Sequence, residues 1–409
     1  MALSDNSPAM EEKYTEPYWD FDEIIDREGT NSIKYAAAST LSPYLPEQYI
    51  PMWVADMDFA CPQPVLDAMK ARIDRRILGY STVNDPAYFA AIINWEMTRH
   101  GTEVFADQIV FSGGVIRGME EAVRRLTKPG DSVLINTPGY HPFDDSVRLF
   151  ERTPVYSPLV NDGSGHYTFD WEDMERKAAD PRVKLYFLCN PHNPSGRVWT
   201  EEELRRVAEI MFRNDVFIFC DEIWRDIIRM DVTHTSLLRL YPGRRGYLVA
   251  TAPSKTFNLA GNQLANLIIP DKEIADDWRR KCCCGHPNPL SIEACRAAFE
   301  HCGGWLDAMR TYLDENFAFM ESYLARHLPK AKFRRPEGTY LAWVDMKAFG
   351  LTDQQLREMI SRAGLFIEFG DEFIRDGDGF VRINIACPRS VLEKALAILC
   401  TALGSSGQN

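Results

Sequence analysis

The stretch T-A-P-S-K-T-F-N-L-A-G-N, Thr251 to Asn262, takes over at the end of the apolar run Tyr247–Ala252. A short continuous apolar run stopped by a proline reads as a strand buried on both faces. Lys255 then stands just past a strand end, with Ser254 before it, Thr256, Phe257 and Asn258 after it and Gly261 close by. A lysine there is either a solvated turn residue or a buried amine. Burying an ammonium is unfavourable by several kcal/mol unless it is paired or loses its charge. A lysine with a lowered pKa can attack a carbonyl and form a Schiff base.

Around this stretch, short apolar runs alternate with helical segments. Gln108–Phe111, Ser132–Asn136, Val183–Asn190, Val216–Asp221 and Leu264–Ile269 read as further strands. Between two of them Thr200 and Glu203 form a capping box, and Leu204, Val207, Ala208 and Met211 fall on one helix face. Continuously apolar strands separated by helices predict an α/β domain with a mainly parallel sheet covered on both faces. Past Pro289 the pattern changes to long helical stretches from Ser291 to about Leu328. Strands near Tyr340–Val344 and Phe380–Ala386 follow, with a helix at Asp353–Ala363 between them and a closing helix at Val391–Leu403. This predicts a smaller α+β domain completed by N-terminal residues. The expected division is an N-terminal arm with part of the small domain (1–60), a large domain (61–290) and a C-terminal small domain (291–409). Residues 1–30 and the tail GSSGQN read as mobile.

Composition narrows the function classes. The 409 residues carry a net charge of -13, which argues against nucleic acid or an anionic membrane as the main partner. No apolar run reaches the length of a membrane span, and the first twenty residues lack the apolar core of a signal peptide. The ten cysteines are scattered, several in apparent core strands, as expected for reduced thiols in the cytoplasm. Cys282, Cys283 and Cys284 are adjacent and cannot all face one ion, so no metal site is expected.

Four features accompany Lys255. Ser112–Gly113–Gly114–Val115 lies between a strand and a helical run, either as a plain turn or as a helix start that holds a phosphate. Cys189–Gly196, with Pro191 and Pro194, ends another strand and is either a rigid turn or a mount for the Asn193 amide at the ligand-binding edge of the sheet. Asp221–Glu222 ends the apolar strand VFIFCD and calls for a cationic partner. Arg382, in FVRINIACPR, is either a core ion-pair residue or a fixed fork for a carboxylate.

Asn193, Asp221, Lys255 and Arg382, in this order and in these local strings, resemble the fold-type-I pyridoxal-phosphate enzymes of the aminotransferase class I/II family. The likeness runs from about Tyr18 to Leu403. PMWVADMDF (51–59), GYS (79–81), CNPHNPSGRVW (189–199), SKTFNLAG (254–261), PEGTYLAW (336–343) and VRINIACPR (381–389) are most similar to its MalY/PatB-type cystathionine β-lyase branch. The resemblance implies a mainly parallel seven-stranded sheet between helices, plus the smaller α+β domain, and pyridoxal 5'-phosphate as cofactor.

It further implies that Lys255 is the Schiff-base lysine and proton carrier and that Asp221 pairs with the pyridinium nitrogen. Asn193 would bond the ring's phenolic oxygen, and Tyr140, in TPGYHPF, would stack on the ring. Gly114, Val115 and Ser254 would hold the phosphate, joined by Tyr80 from a second copy of the chain, which makes the active site dimeric. By the same likeness Tyr80 counts with Lys255 and Asp221 as catalytic. Arg382 would bind the substrate carboxylate, with Ala55, Asn193 and Tyr80 also beside the substrate.

Two positions depart from the pattern. Trp224 stands near the ring oxygen where relatives usually carry histidine or tyrosine, and Asn262 where the branch commonly has an apolar residue. The implied reaction is elimination at a carbon–sulfur bond of L-cystathionine or another S-substituted cysteine, to pyruvate, ammonia and a thiol. An aminotransferase, or a regulatory binding protein that keeps the cofactor fold, are the alternatives.

Overall fold

Eight strands form the central sheet of the computed structural model, which describes residues 19–281 and 285–404. Most of the expected N-terminal arm, the run Cys282–Cys284 and the tail after Gly404 lie outside the described residues. In spatial order the strands are Ile109–Ser112, Ala265–Ile268, Tyr247–Thr251, Phe217–Asp221, Val183–Cys189, Ser132–Thr137, Thr153–Asn161 and Tyr167–Phe169. The five from Tyr247–Thr251 to Thr153–Asn161 are parallel; Ala265–Ile268 runs antiparallel to both neighbours. The sheet is the expected one of seven strands with a three-residue edge hairpin, Tyr167–Phe169, added.

The period of two along each strand explains the layering. Leu134, Tyr186, Ile218 and Val249 face one side, against Leu204, Val207, Ala208 and Met211 of the helix Glu201–Arg213. Val133, Ile135, Leu185, Phe187, Phe219 and Leu248 face the other, against Met119, Ala122 and Val123 of the helix Val115–Leu126. The capping box that starts Glu201–Arg213 is formed as expected. Glu203 N–H donates to Thr200 Oγ1 at 3.2 Å, and Thr200 N–H donates to Glu203 Oε2 at 2.8 Å. A Cβ on Gly118 would lie 2.7 Å from a Leu267 methyl, so this glycine lets the helix Val115–Leu126 sit close on the sheet.

Thr153–Asn161 has no strand signature in sequence, because Pro154 and Pro158 interrupt it. Prolines are tolerated there because only the short hairpin strand lies outside it.

The C-terminal part builds an antiparallel four-stranded sheet in the order Lys332–Phe333, Leu341–Asp345, Phe380–Asn384, Glu368–Phe369. The helical stretch expected from Ser291 to Leu328 is two helices, Pro289–His301 and Gly303–His327, broken at Cys302 just before the pair Gly303–Gly304. Ile50–Pro51 pairs in parallel with Leu365–Phe366, tying the N-terminal segment to this part of the molecule.

Candidate active site

Three strands of the large sheet end side by side: Cys189 lies opposite Asp221, and Asp221 opposite Ala250. Beyond those ends lies a cavity of about 640 Å³. It is lined by Ala55, Gly113, Gly114, Val115, Tyr140, Asn193, Asp221, Trp224, Ser254, Lys255, Glu368 and Arg382, among others. Every site residue expected from sequence except Tyr80 lines this one space.

Lys255 lies in the short helix Pro253–Thr256 that follows its strand. Its Nζ donates to the Ala55 carbonyl at 2.7 Å and lies 5.6 Å from the centroid of the Trp224 ring. Burial pulls its pKa from 10.5 to about 8; the nearby Arg382 charge adds to that, while Asp56 and Asp221 act against it. The next residue is pinned as well: Thr256 Oγ1 donates to Asp226 Oδ2 at 2.8 Å, and Asp226 in turn is held by Trp95 Nε1 and His100 Nε2.

Ala55 belongs to a segment fastened from two sides. Asn258, at φ +57° just after Lys255, donates from Nδ2 to the carbonyls of Met57 and Phe59. Asn384, in the four-stranded sheet, donates to the carbonyls of Val54 and Asp56, each at 2.8 Å.

Asp221 and Glu222 part company. Glu222 is turned into the protein, where Ser236 Oγ donates to it at 2.9 Å and Arg225 lies 3.7 Å away. Asp221 faces the cavity, takes one hydrogen bond from Ile223 N–H at 3.0 Å, and has no ion-pair partner among the described residues. Burial pushes its pKa up to about 7. A buried carboxylate with no cation in ion-pair contact is suited to a cationic ligand atom.

Asn193 Oδ1 accepts from Arg382 Nη1 at 2.8 Å, which leaves Nδ2 as the amide's free donor. Arg382 is 2% exposed, and burial draws its pKa down to about 10, so it remains charged at neutral pH. A carboxylate that the sequence reading passed over, Glu368, contacts Arg382 Nη2. Its only sequence signal is an acid inside the apolar run LFIEF.

Gly114 is the N-cap of the twelve-residue helix Val115–Leu126, with φ +137° and no atom within 4 Å of where a Cβ would stand. The open helix end and its N–H groups suit a phosphate. Ser254 and Tyr140 complete the lining, and burial raises the Tyr140 pKa. Trp224 packs edge-on against Tyr340, at 4.8 Å between ring centroids. Asn262 is off the cavity; its Nδ2 is buried without a partner and its carbonyl accepts from Ser291 Oγ.

Tyr80 stands apart. It is 95% exposed, its ring lies 5.2 Å from that of His286, and it does not reach the Lys255 cavity of its own chain. Among the described residues no group of acids, histidines and cysteines could hold a metal ion, and no helix is long and apolar enough to cross a membrane. The described cysteines are free thiols.

The donor set fits pyridoxal 5'-phosphate: a buried amine of lowered pKa for an aldehyde, an uncompensated carboxylate for a ring nitrogen, and an open helix start for a phosphate. Comparison with known proteins agrees with that fit. The chain is 37% identical over 389 residues to cystathionine β-lyase PatB of Bacillus subtilis, covering 94% of this chain and 99% of that one. It is 30% identical to protein MalY of Escherichia coli, again over 94% of this chain and 99% of the other. Among solved structures, the PLP-bound C-S lyase of Staphylococcus hominis superposes with a TM-score of 0.90 at 38% identity, covering 95% of this chain and 98% of that one. Cystalysin of Treponema denticola, which contains pyridoxal 5'-phosphate, gives 0.90 at 33% identity, over 95% and 100%. The family model "Aminotransferase class I and II" matches residues 47–399, and the chain belongs to that family.

Proposed function

We propose that the protein is a pyridoxal-phosphate-dependent carbon–sulfur β-lyase acting on L-cystathionine or related S-substituted cysteines. The observation that carries the cofactor reading is the placement of buried Lys255 and uncompensated Asp221 in one cavity with Arg382. The reaction reading rests on those relatives that are named cystathionine β-lyase and C-S lyase.

Pyridoxal phosphate bound there would supply the electron sink that lets the substrate Cα proton leave. Lys255 Nζ is the amine that would bond the cofactor's aldehyde and then carry the proton at Cα. Its burial lowers its pKa to about 8 and so raises the neutral fraction that a base requires. Asp221 would pair with the ring nitrogen, and Asn193 Nδ2 would donate to the ring oxygen. Tyr140 would stack on the ring, with Trp224 near its oxygen. The N–H groups at Gly114 and Val115, with Ser254, would hold the phosphate. Arg382 would take the substrate α-carboxylate, beside Asn193 and Ala55. With Cα so held, Lys255 would take its proton while the Cβ–S bond breaks and the sulfur leaves as thiolate. The net reaction would consume one water per S-substituted cysteine and yield one thiol, one pyruvate and one ammonia.

The site is completed by a second copy. Tyr80 is exposed, and so are its sequence neighbours Ile73, Ile77 and Leu78, at 49%, 73% and 55%. Exposed apolar side chains suit an interface between copies of the chain, in which Tyr80 would reach the phosphate of the other chain. The composition is that expected of a cytoplasmic protein, and the proposed division is an N-terminal arm with part of the small domain (1–60), a large cofactor-binding domain (61–290) and a C-terminal small domain (291–409).

The test is incubation of the holoenzyme with L-cystathionine and with S-ethyl-L-cysteine. Pyruvate and free thiol are assayed, with 2-oxo acid acceptors in parallel. Equal release of pyruvate and thiol is expected. Amino transfer to the 2-oxo acids without thiol release would overturn the lyase reading in favour of an aminotransferase.

A further inference from the structure

Glu368 and Arg382 face each other across adjacent antiparallel strands, their Cα atoms in register. Glu368 Oε2 contacts Arg382 Nη2, Arg382 Nη1 is engaged by Asn193, and Arg382 Nε has no partner. Both side chains are largely buried, at 13% and 2% exposed, and both line the Lys255 cavity. Among the described residues neither forms a second ion pair.

A guanidinium takes a carboxylate as a fork through one of two edges, Nε with Nη2 or Nη1 with Nη2. Nη2 is common to both edges, and Glu368 lies on it. A substrate carboxylate arriving at Arg382 would therefore meet a carboxylate already in place, in a setting too dry to hold two anions against one cation.

We propose that Glu368 is a built-in competitor for the substrate: it occupies Arg382 in the unliganded protein and leaves it when an amino-acid carboxylate binds. Glu368 thereby sets how tightly α-amino acids bind, and screens the cavity against weakly bound carboxylates. The proposal rests on the reading that Arg382 receives the substrate α-carboxylate.

The experiment separates the two. Holoenzyme is titrated with L-alanine, which carries an α-carboxylate but no sulfur, and with ethylamine, which carries no carboxylate; binding is read from the visible absorbance. If wild type binds L-alanine no better than ethylamine, the assignment of Arg382 fails and the proposal with it. If L-alanine binds better, E368Q decides. A competitor that holds Arg382 in about 90–99% of unliganded molecules lowers apparent affinity about 10- to 100-fold. L-Alanine should therefore tighten by about that factor in E368Q, with ethylamine unchanged, and KM for S-ethyl-L-cysteine should fall in step. Weaker L-alanine binding would make Glu368 a support for Arg382, and unchanged binding would make the pair purely structural; either overturns the proposal. E368A, which removes the acid without a polar substitute, gives the same comparison if E368Q does not fold.

Discussion

Arg382 Nη1 donates a 2.8 Å hydrogen bond to Asn193 Oδ1, so the residue assigned to the substrate also orients the amide assigned to the cofactor. Losing the guanidinium removes a fork from a closed site and frees the amide to rotate. Truncating one partner of such a contact is worth about 2–5 kcal/mol. Arg382→Ala should lower kcat/KM for an amino-acid substrate roughly 30-fold to several thousand-fold. Arg382→Lys should restore only part, because an ammonium has charge without the planar fork. Near-normal kinetics with a lowered Tm would show that the arginine is only an ion-pair residue of the core.

Lys255→Ala should give colourless protein that neither gains a visible band with pyridoxal phosphate nor loses one with borohydride. Wild type should be yellow and bleach irreversibly. Turnover should fall below detection, because the amine proposed to move the Cα proton is gone. A variant that keeps the wild-type rate would refute the role of Lys255.

Asp221 links the site to stability. Its carboxyl has a pKa of about 7 in the folded apoprotein against an ordinary 3.8, so between those values the folded state holds a proton that the unfolded state has released. Stability from this group is present below pH 3.8 and is lost as pH rises through about 7. Asp221→Asn should therefore stabilise the apoprotein at pH 8 by roughly 1–4 kcal/mol and little at pH 4, measured by urea unfolding. The same variant should lose several orders of magnitude in turnover, since the ring nitrogen loses its anion. In wild type, cofactor uptake should quicken from pH 6 to pH 8, because both Asp221 and Lys255 must shed a proton. If the Asp221→Asn apoprotein is no more stable than wild type at pH 8, the carboxylate is well solvated.

Tyr80 lends itself to a mixing test. Tyr80→Ala and Lys255→Ala should each be impaired, and each alone should stay so. Refolded together in equal amounts, they should recover about a quarter of wild-type activity, because half of the dimers are hybrids and each hybrid has one intact site. No recovery on mixing would mean that Tyr80 does not serve a neighbouring chain.

Much of this was legible in the sequence because the physics was local. The runs around Leu134, Phe219 and Val249 are apolar on both faces, as only a doubly covered sheet allows, and Thr200 with Glu203 spells its own helix start. Lys255, Asp221, Asn193 and Arg382 each follow or occupy a strand, so reading the strands located them. Thr153–Asn161 was hidden because its prolines speak against a strand and only its position near the sheet edge makes them tolerable. Glu368 was hidden for a different reason. Its significance lies in facing Arg382 across two strands, a register that nothing in either string states. The two-residue strand Glu368–Phe369 is also too short for periodicity to mark.

The double fastening of residues 54–59 has a mechanical consequence. Asn258 roots that segment beside Lys255 in the large sheet's loop, while Asn384 roots it in the four-stranded sheet that also carries Arg382. The Ala55 carbonyl, which caps the Lys255 amine, thus rides on a strap with one end on each half. The place of that carbonyl over the amine is therefore set by two asparagines more than a hundred residues apart in sequence, and loosening either one would unseat it.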